Sequence, residues 1–252
     1  MPSAVIIKLS ITFILVITGY TLLGLMMMLL GEVLALVRPR VNLNHPRLSL
    51  REHLTDWLYS VRNLIIGVTL AHFMGDNRVK AFQDIDPHSF SLPLSLTIFI
   101  CYDLYINFTH IYFHTRAGRW VSHWVHHLNK RSGVFSAFRF SIAELLFYIV
   151  FTECIYVFLP TQEVLAADVL LMLGNVFGHS GYEPLNVFSP KIKNVITKVL
   201  PVLYGEDHYD HHSSLKPTYQ GYFKFVAVLF PKNMLEKRLS AEPLKGLFSE
   251  NG

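Results

Sequence analysis

Hydrophobic and polar positions divide the chain into long apolar runs joined by short polar connections. Residues 10–31, SITFILVITGYTLLGLMMMLLG, hold no charged side chain. Roughly 20 such residues cross a bilayer as a helix, so this run predicts a transmembrane helix. A cleaved signal peptide would have a shorter apolar core and a small-residue cleavage site; the stretch shows neither, which favours a retained span. The basic connection VRPRVNLNHPRLSLREH comes next. Ser49, with Glu52 three residues on, matches a capping box and predicts a second helix that turns apolar through LIIGVTLAHFMG to residue 75. Arg62, near the start of that run, has the reach to snorkel to the headgroups. Residues 76–91 are polar and read as a loop, and 92–109 predict a third span.

Residues 142–178 form two apolar arms around PTQ at 160–162. Each arm is about 16 to 18 residues, short for a full crossing, so a thin-membrane hairpin and a re-entrant hairpin both fit. Beyond Gly181 the chain becomes soluble in character. VITKVLPVLYG and YFKFVAVLFP are too short to span and read as interfacial or packed segments. The expected fold is an all-α integral membrane protein with about four transmembrane or re-entrant helices and a cytosolic helical cap. It forms one domain over 1–252: spans and linker at 1–91, a core at 92–225 and a tail at 226–252.

Composition agrees with a membrane protein. The chain is 52% hydrophobic and 16% charged, against roughly 25% charged in ordinary globular domains. Cys101 and Cys154 both lie in apolar runs and imply no disulfide framework. The net charge is only +4, but its placement is informative. Of 22 Lys and Arg, 18 lie at 38–51, 115–140 or from 184 onward, whereas Lys8, Arg78 and Lys80 fall in opposite-side segments and Arg62 lies inside a span. Lys and Arg prefer the cytoplasmic side, which puts the N-terminus outside and 110–140 and the region from 179 onward in the cytosol. The expected membrane is the bacterial inner membrane or the endoplasmic reticulum, and nucleic acid is not an expected partner.

That one face also collects most of the histidines. Of 13, nine occur in four places: His110 and His114 in HIYFH, His123, His126 and His127 in HWVHH, His179 in GHSGYE, and His208, His211 and His212 in HYDHH. Residues i, i+3 and i+4 share a helix face, so each pentad aims two or three rings one way. His45, His53, His72 and His88 stand alone and read as ordinary hydrogen-bonded histidines. Nine imidazoles exceed the four ligands of a single zinc and suit two ions. Imidazole accepts iron, copper, zinc and nickel, so the ligand type does not name the metal. Acidic groups should accept the second ring N–H. The candidates are Asp103, seven residues before His110, together with Glu183 and Asp210, while Glu206 and Asp207 read as solvated acids. Glu153 and Asp168 lie at similar depth in the two hairpin arms.

Four uses of such a cluster compete. A metal transporter places its ligands near the bilayer midplane, whereas these pentads begin where the spans end. A membrane haem protein needs paired histidines on facing helices within the bilayer, which is also a poor match. A zinc hydrolase remains an alternative, although no Ser or Cys nucleophile constellation accompanies the histidines. The fourth use is oxygen activation at a metal pair.

HxxxH, then HxxHH, then a later HxxHH, among short membrane segments, resembles the fatty acid hydroxylase and sterol desaturase superfamily. Ala137, Arg139 and Glu144 within HWVHHLNKRSGVFSAFRFSIAE are similar to its small–Arg–Glu pattern. GHSGYE resembles a segment of the sterol 4-methyl oxidase and sterol 25-hydroxylase branch, and HYDHHSSLKPTYQGY resembles the last box and the turn after it. The likeness covers about residues 92 to 225; beyond it, GYFKFVAVLFPKN replaces the family's Trp-Asp and Phe-Gly-Thr segments. The resemblance implies a non-haem di-iron enzyme, with zinc as a substitute metal, that uses O2 to hydroxylate or desaturate a lipid such as a fatty acyl chain or sterol. No Gly-rich dinucleotide fingerprint or haem domain is evident. Electrons are therefore expected from a separate ferredoxin or small cytochrome with its reductase, drawn to the basic face.

Overall fold

The computed structural model describes residues 2–43, 48–74, 86, 88–115, 118, 121, 123–128, 131, 133–199 and 205–214. Among these residues there are seven α-helices and no strand: α1 (Pro2–Val37), α2 (Leu50–Phe73), α3 (Leu92–Phe113), α4 (Ile142–Phe158), α5 (Thr161–Gly178), α6 (Pro190–Val199) and α7 (Gly205–Ser214). Two of them, α1 over Ser10–Val37 and α3, are long and apolar enough to cross a membrane. The protein is an all-α membrane protein. The sequence suggested about four such segments. Helices α4 and α5 have 17 and 18 residues, or about 26 and 27 Å at 1.5 Å per residue, below the ~30 Å hydrocarbon core. The expected segment YFKFVAVLFP, the loop at 76–85 and His45 lie outside the described residues.

Helix α1 is apolar on every side, the pattern of a helix in lipid, and continues past residue 31 to Val37. Leu22, Leu25, Met26, Leu29 and Leu36 are exposed, while Tyr20, Gly24, Gly31 and Ala35 form one buried stripe. The two glycines make room for rings. A Cβ on Gly24 would run into the Phe135 ring, and one on Gly31 would stand 2.5 Å from the Tyr182 ring. Tyr182 Oη also donates to Glu32 Oε1 at 2.8 Å. The end of α1 is tied to the segment after α5: Leu43 N–H donates to Gly181 O and Glu183 N–H to Val41 O, at 2.9 and 2.8 Å. Gly181 has φ 72°, a conformation glycine adopts without strain.

Helix α2 opens with the expected capping box. Ser49 N–H donates to Glu52 Oε2 at 2.7 Å and Glu52 N–H to Ser49 Oγ at 3.3 Å. Its inward face is polar in the first half, where Asp56, Ser60 and Asn63 are buried. These side chains grip the loop that precedes α4. Ser60 Oγ donates to Phe135 O at 2.7 Å, Asn63 Nδ2 donates to Phe138 O and Phe140 O at 2.7 and 2.9 Å, and Asp56 pairs with Arg139. From the other side, Asn175 Nδ2 on α5 donates to Ala137 O at 2.7 Å. Buried carbonyls need such donors, so α2 and α5 together fix the loop. Arg62 is exposed and directs its guanidinium to Asn63 Oδ1 and Phe140 O, at 2.9 and 3.1 Å.

Helices α3 and α5 pack along their length, with Ile98, Tyr102, Tyr156, Val164, Leu165 and Ala167 as the core beside α4. Their far ends are joined where Ser91 N–H donates to Glu163 Oε1 at 2.9 Å. The opposite ends, at His114 and His179, therefore finish on the same side. Asp168 and Glu153 lie within this bundle, Asp168 accepting from Tyr156 Oη at 2.9 Å and Glu153 buried.

Gly31→Ala is expected to destabilise the protein by about 1–3 kcal/mol, the usual cost of an overpacked contact. Gly19→Ala, whose Cβ meets nothing within 4 Å, should leave stability unchanged. Thermal unfolding of both variants in one detergent reads the difference, and equal midpoints would refute the close approach of α1 to Tyr182.

Candidate metal centre

Four chain segments end at one place. His110 lies in the last turn of α3 and His114 caps its end, with the two Nε2 atoms 3.1 Å apart. His179 caps α5. His208, His211 and His212 lie on α7. HWVHH forms a 3-10 turn, His123–Leu128, whereas the sequence suggested α-helical spacing. Residues three apart eclipse in a 3-10 helix, and the His123 and His126 rings accordingly stack at 5.3 Å and 24°.

The nine rings divide into two adjoining groups. Donor atoms of His110, His114, His123 and His127 lie within 4.8 Å of one another, as do those of His126, His179, His208 and His212. His211 joins the first group, its Nε2 3.1 Å from that of His110 and 3.2 Å from that of His127. Each i, i+4 pair stays within one group, while the middle histidine of each HxxHH crosses to the other. The sequence pointed each pentad one way; the folded protein splits each triplet between the groups. Of the histidines that stand alone in sequence, His53, His72 and His88 lie outside both groups.

Hydrogen bonds at the outer nitrogens orient three rings. His123 Nδ1 lies 2.7 Å from Glu144 Oε1, His126 Nδ1 3.3 Å from Arg139 O, and His179 Nδ1 2.8 Å from Asn175 O. Carbonyls only accept, so His126 and His179 carry the proton on Nδ1 and present a bare Nε2 lone pair inward, and an ionised Glu144 orients His123 in the same way. His126 Nε2 and His179 Nε2 nonetheless face each other at 3.1 Å. Two lone pairs at that distance repel unless a cation draws both. The Nε2···Nε2 neighbours across both groups lie 2.8 to 3.2 Å apart. Nitrogens bound at about 2.0–2.1 Å to one ion stand roughly 2.9–3.4 Å apart at angles near 90–110°. The donor set therefore fits two metal ions, with five imidazoles about one and four about the other.

Burial keeps these rings in the ligating form. It holds His114 down to about 3, helped by neighbouring His211. It holds His179 down to about 4, opposed by the Asn175 carbonyl bond and aided by His211. His123, His126 and His127 are pushed well below the ordinary histidine value, first by burial and then by the other rings. Neutral imidazole is the form that binds a metal.

The acids named from sequence occupy different settings. Asp103 is fully buried on α3, its carbonyl accepting from Asn107 Nδ2 at 2.8 Å. Glu183 is buried and caps the Pro184–Val187 turn, accepting from Leu185 N–H at 3.1 Å. Asp210 is exposed on α7. Sequence reasoning gave Glu144 no role at the rings, although it sits in the motif's small–Arg–Glu pattern. Its placement follows from local structure: Ser141 Oγ caps α4 by accepting from Glu144 N–H at 3.1 Å, which turns the carboxylate back toward His123. Arg139 acts through its carbonyl, and its guanidinium, paired with Asp56, lies 4.8 Å over the Tyr59 ring.

Losing a carboxylate that orients a metal-bound histidine typically weakens metal affinity 10–100-fold. Glu144→Ala is expected to do so here, with Glu144→Gln recovering part of the loss because its amide oxygen still accepts from His123. Metal titration of the purified variants checks this, and wild-type affinity in Glu144→Ala would remove Glu144 from the centre.

The family model described as fatty acid hydroxylase matches residues 95–231, a stretch that contains all nine of the grouped histidines. No curated protein matches the chain, and no solved structure does. With more than half of its length matched and both histidine groups inside the match, the chain belongs to the fatty acid hydroxylase family.

Proposed function

We propose that this protein is a membrane-bound non-haem di-iron oxygenase that hydroxylates or desaturates a C–H bond of a lipid such as a fatty acyl chain or sterol. The observation that carries the reading is the pair of adjoining imidazole groups with Nε2 lone pairs turned toward one another. The proposed ligands are His110, His114, His123, His127 and His211 for one ion and His126, His179, His208 and His212 for the other. Asp103, Glu183 and Asp210 are the acids proposed around them, with Glu144 on His123. Iron held there would supply the redox change needed to reduce O2 and attack an unactivated C–H bond, and zinc would be a substitute without that redox chemistry.

The chain's own part is to hold and to shield. Glu144, Arg139 O and Asn175 O keep the outer protons on three rings, so the inward nitrogens stay available. Phe113 lies 5.5 Å from the His123 ring and Phe140 5.5 Å from that of His126, with Tyr148 against Phe140 at 5.2 Å. These aromatics form an apolar wall on the α3–α4 side, where an alkyl chain from the bilayer would approach and water would be kept out. Hydroxylation balances as R–H + O2 + 2e− + 2H+ → R–OH + H2O. A ferredoxin or small cytochrome with its reductase would deliver the electrons. The Lys and Arg distribution supports a multi-pass arrangement with the histidines on the cytosolic side, in a bacterial inner membrane or the endoplasmic reticulum.

The test is turnover under 18O2 in membranes supplied with a reducing system, with mass spectrometry of the extracted lipids. The expected product is a lipid that has gained one 18O atom or lost two hydrogens, absent from His123→Ala and His211→Ala preparations that still insert in the membrane. Oxygen drawn from water instead, or unchanged product in the two variants, would sink the oxygenase reading.

A further inference from the structure

One short helix is explained neither by the bundle nor by the histidines. Helix α6, PKIKNVITKV, is strongly two-sided. At 100° per residue, Ile192, Val195 and Ile196 share one face, and Phe188, which closes the Pro184–Val187 turn two residues before the helix, adds a further exposed ring. This stripe is turned outward: Phe188, Ile192 and Val195 are 47%, 49% and 61% exposed. Lys191 and Lys198, both exposed, lie along one edge of it. Lys193 lies on the other edge and anchors the helix, its Nζ donating to Asn186 Oδ1 at 2.7 Å.

The turn before α6 sets its depth. The Pro184–Val187 turn packs on the Pro39–Val41 turn that ends α1, and Asn186 Nδ2 donates to Arg40 O at 2.9 Å. Helix α6 thus starts level with the end of the Ser10–Val37 span, where hydrocarbon gives way to headgroups. A helix with an apolar face and lysines at its margin lies in that plane, its apolar side chains a few ångström into the acyl boundary and its ammonium groups among phosphates. Lysines near the surface also favour anionic over zwitterionic lipid. An acidic protein would meet the same charges but would leave the apolar stripe in water.

We propose that α6 is an in-plane anchor on the histidine side of the membrane. Its Phe188–Ile192–Val195 stripe is immersed in the bilayer, and Lys191 and Lys198 bind the phosphates of anionic lipids. The anchor sets the depth at which the segment between His179 and the α7 histidines meets the membrane. It does not depend on which metal or substrate the histidines serve.

Spin labels placed on the full-length protein test this. In a Cys101→Ser, Cys154→Ser background, Val195→Cys and Asn194→Cys put one label on the apolar face and one on the polar face. The protein is reconstituted in nanodiscs of phosphatidylcholine, alone or mixed with phosphatidylglycerol. Power saturation should show the label at 195 relaxed more by O2 than by a water-soluble nickel chelate, with the reverse at 194. Phosphatidylglycerol should deepen the label at 195, and Lys191→Gln with Lys198→Gln should abolish that dependence. Nickel accessibility at 195 equal to that at 194 would overturn the proposal by placing the face in water. Shielding of 195 from both relaxants would overturn it by placing the face against protein, and a depth indifferent to anionic lipid would refute the phosphate contacts.

Discussion

The structure depends on a repulsion. Rings that donate outward through Nδ1 turn lone pairs inward, and at His126 and His179 those lone pairs stand 3.1 Å apart with no proton to share. Leaving a buried acceptor unsatisfied costs on the order of 1–3 kcal/mol, and here several are forced together. Protonation, the ordinary relief, is suppressed by burial, which holds His114 and His179 far below the usual imidazole range. Cations shared between the rings would resolve the conflict.

The rest of the fold brings those rings together and holds them. Helices α3 and α5 are fastened at their far ends by Glu163 and Ser91, so that His114 and His179 finish on the same side. HWVHH has no α-helix to stiffen it and is steadied from both sides in sequence. Ser141 Oγ donates to Val121 O just before the turn, and the loop beyond it is clamped by Ser60, Asn63, Asn175 and the Asp56–Arg139 pair. The clamp connects directly with the centre, since the residue Asp56 holds by its side chain offers its carbonyl to His126. Helix α1 contributes packing through Gly24 and Gly31, receiving Phe135 from that same loop and Tyr182 from the segment after His179.

Much of this was legible in sequence for local reasons. The Ser49–Glu52 box, the apolar run of α1 and the pairing of histidines four apart rest on nearby residues, and each appears in the fold. What could not be read depends on distant partners. Nothing local to α2 gives Asp56, Ser60 and Asn63 a role. Their purpose shows only when Phe135, 75 residues beyond Ser60, comes to rest on them. The division of each HxxHH triplet depends on where α3, α5 and α7 end relative to one another, and period alone carries no such information. Glu144 was visible as part of a motif, but its contact with His123 needed the Ser141 cap to turn it inward. Hydropathy alone likewise does not say whether arms of 17 and 18 residues cross or merely enter.

The central claim is that the nine imidazoles hold a pair of metal ions, and the most direct test is metal analysis with Mössbauer spectroscopy of detergent-purified protein produced with iron supplied. About two irons per chain in a coupled high-spin pair are expected, the number that two histidine groups of this size accommodate. One zinc per chain, or no metal at all, would contradict it.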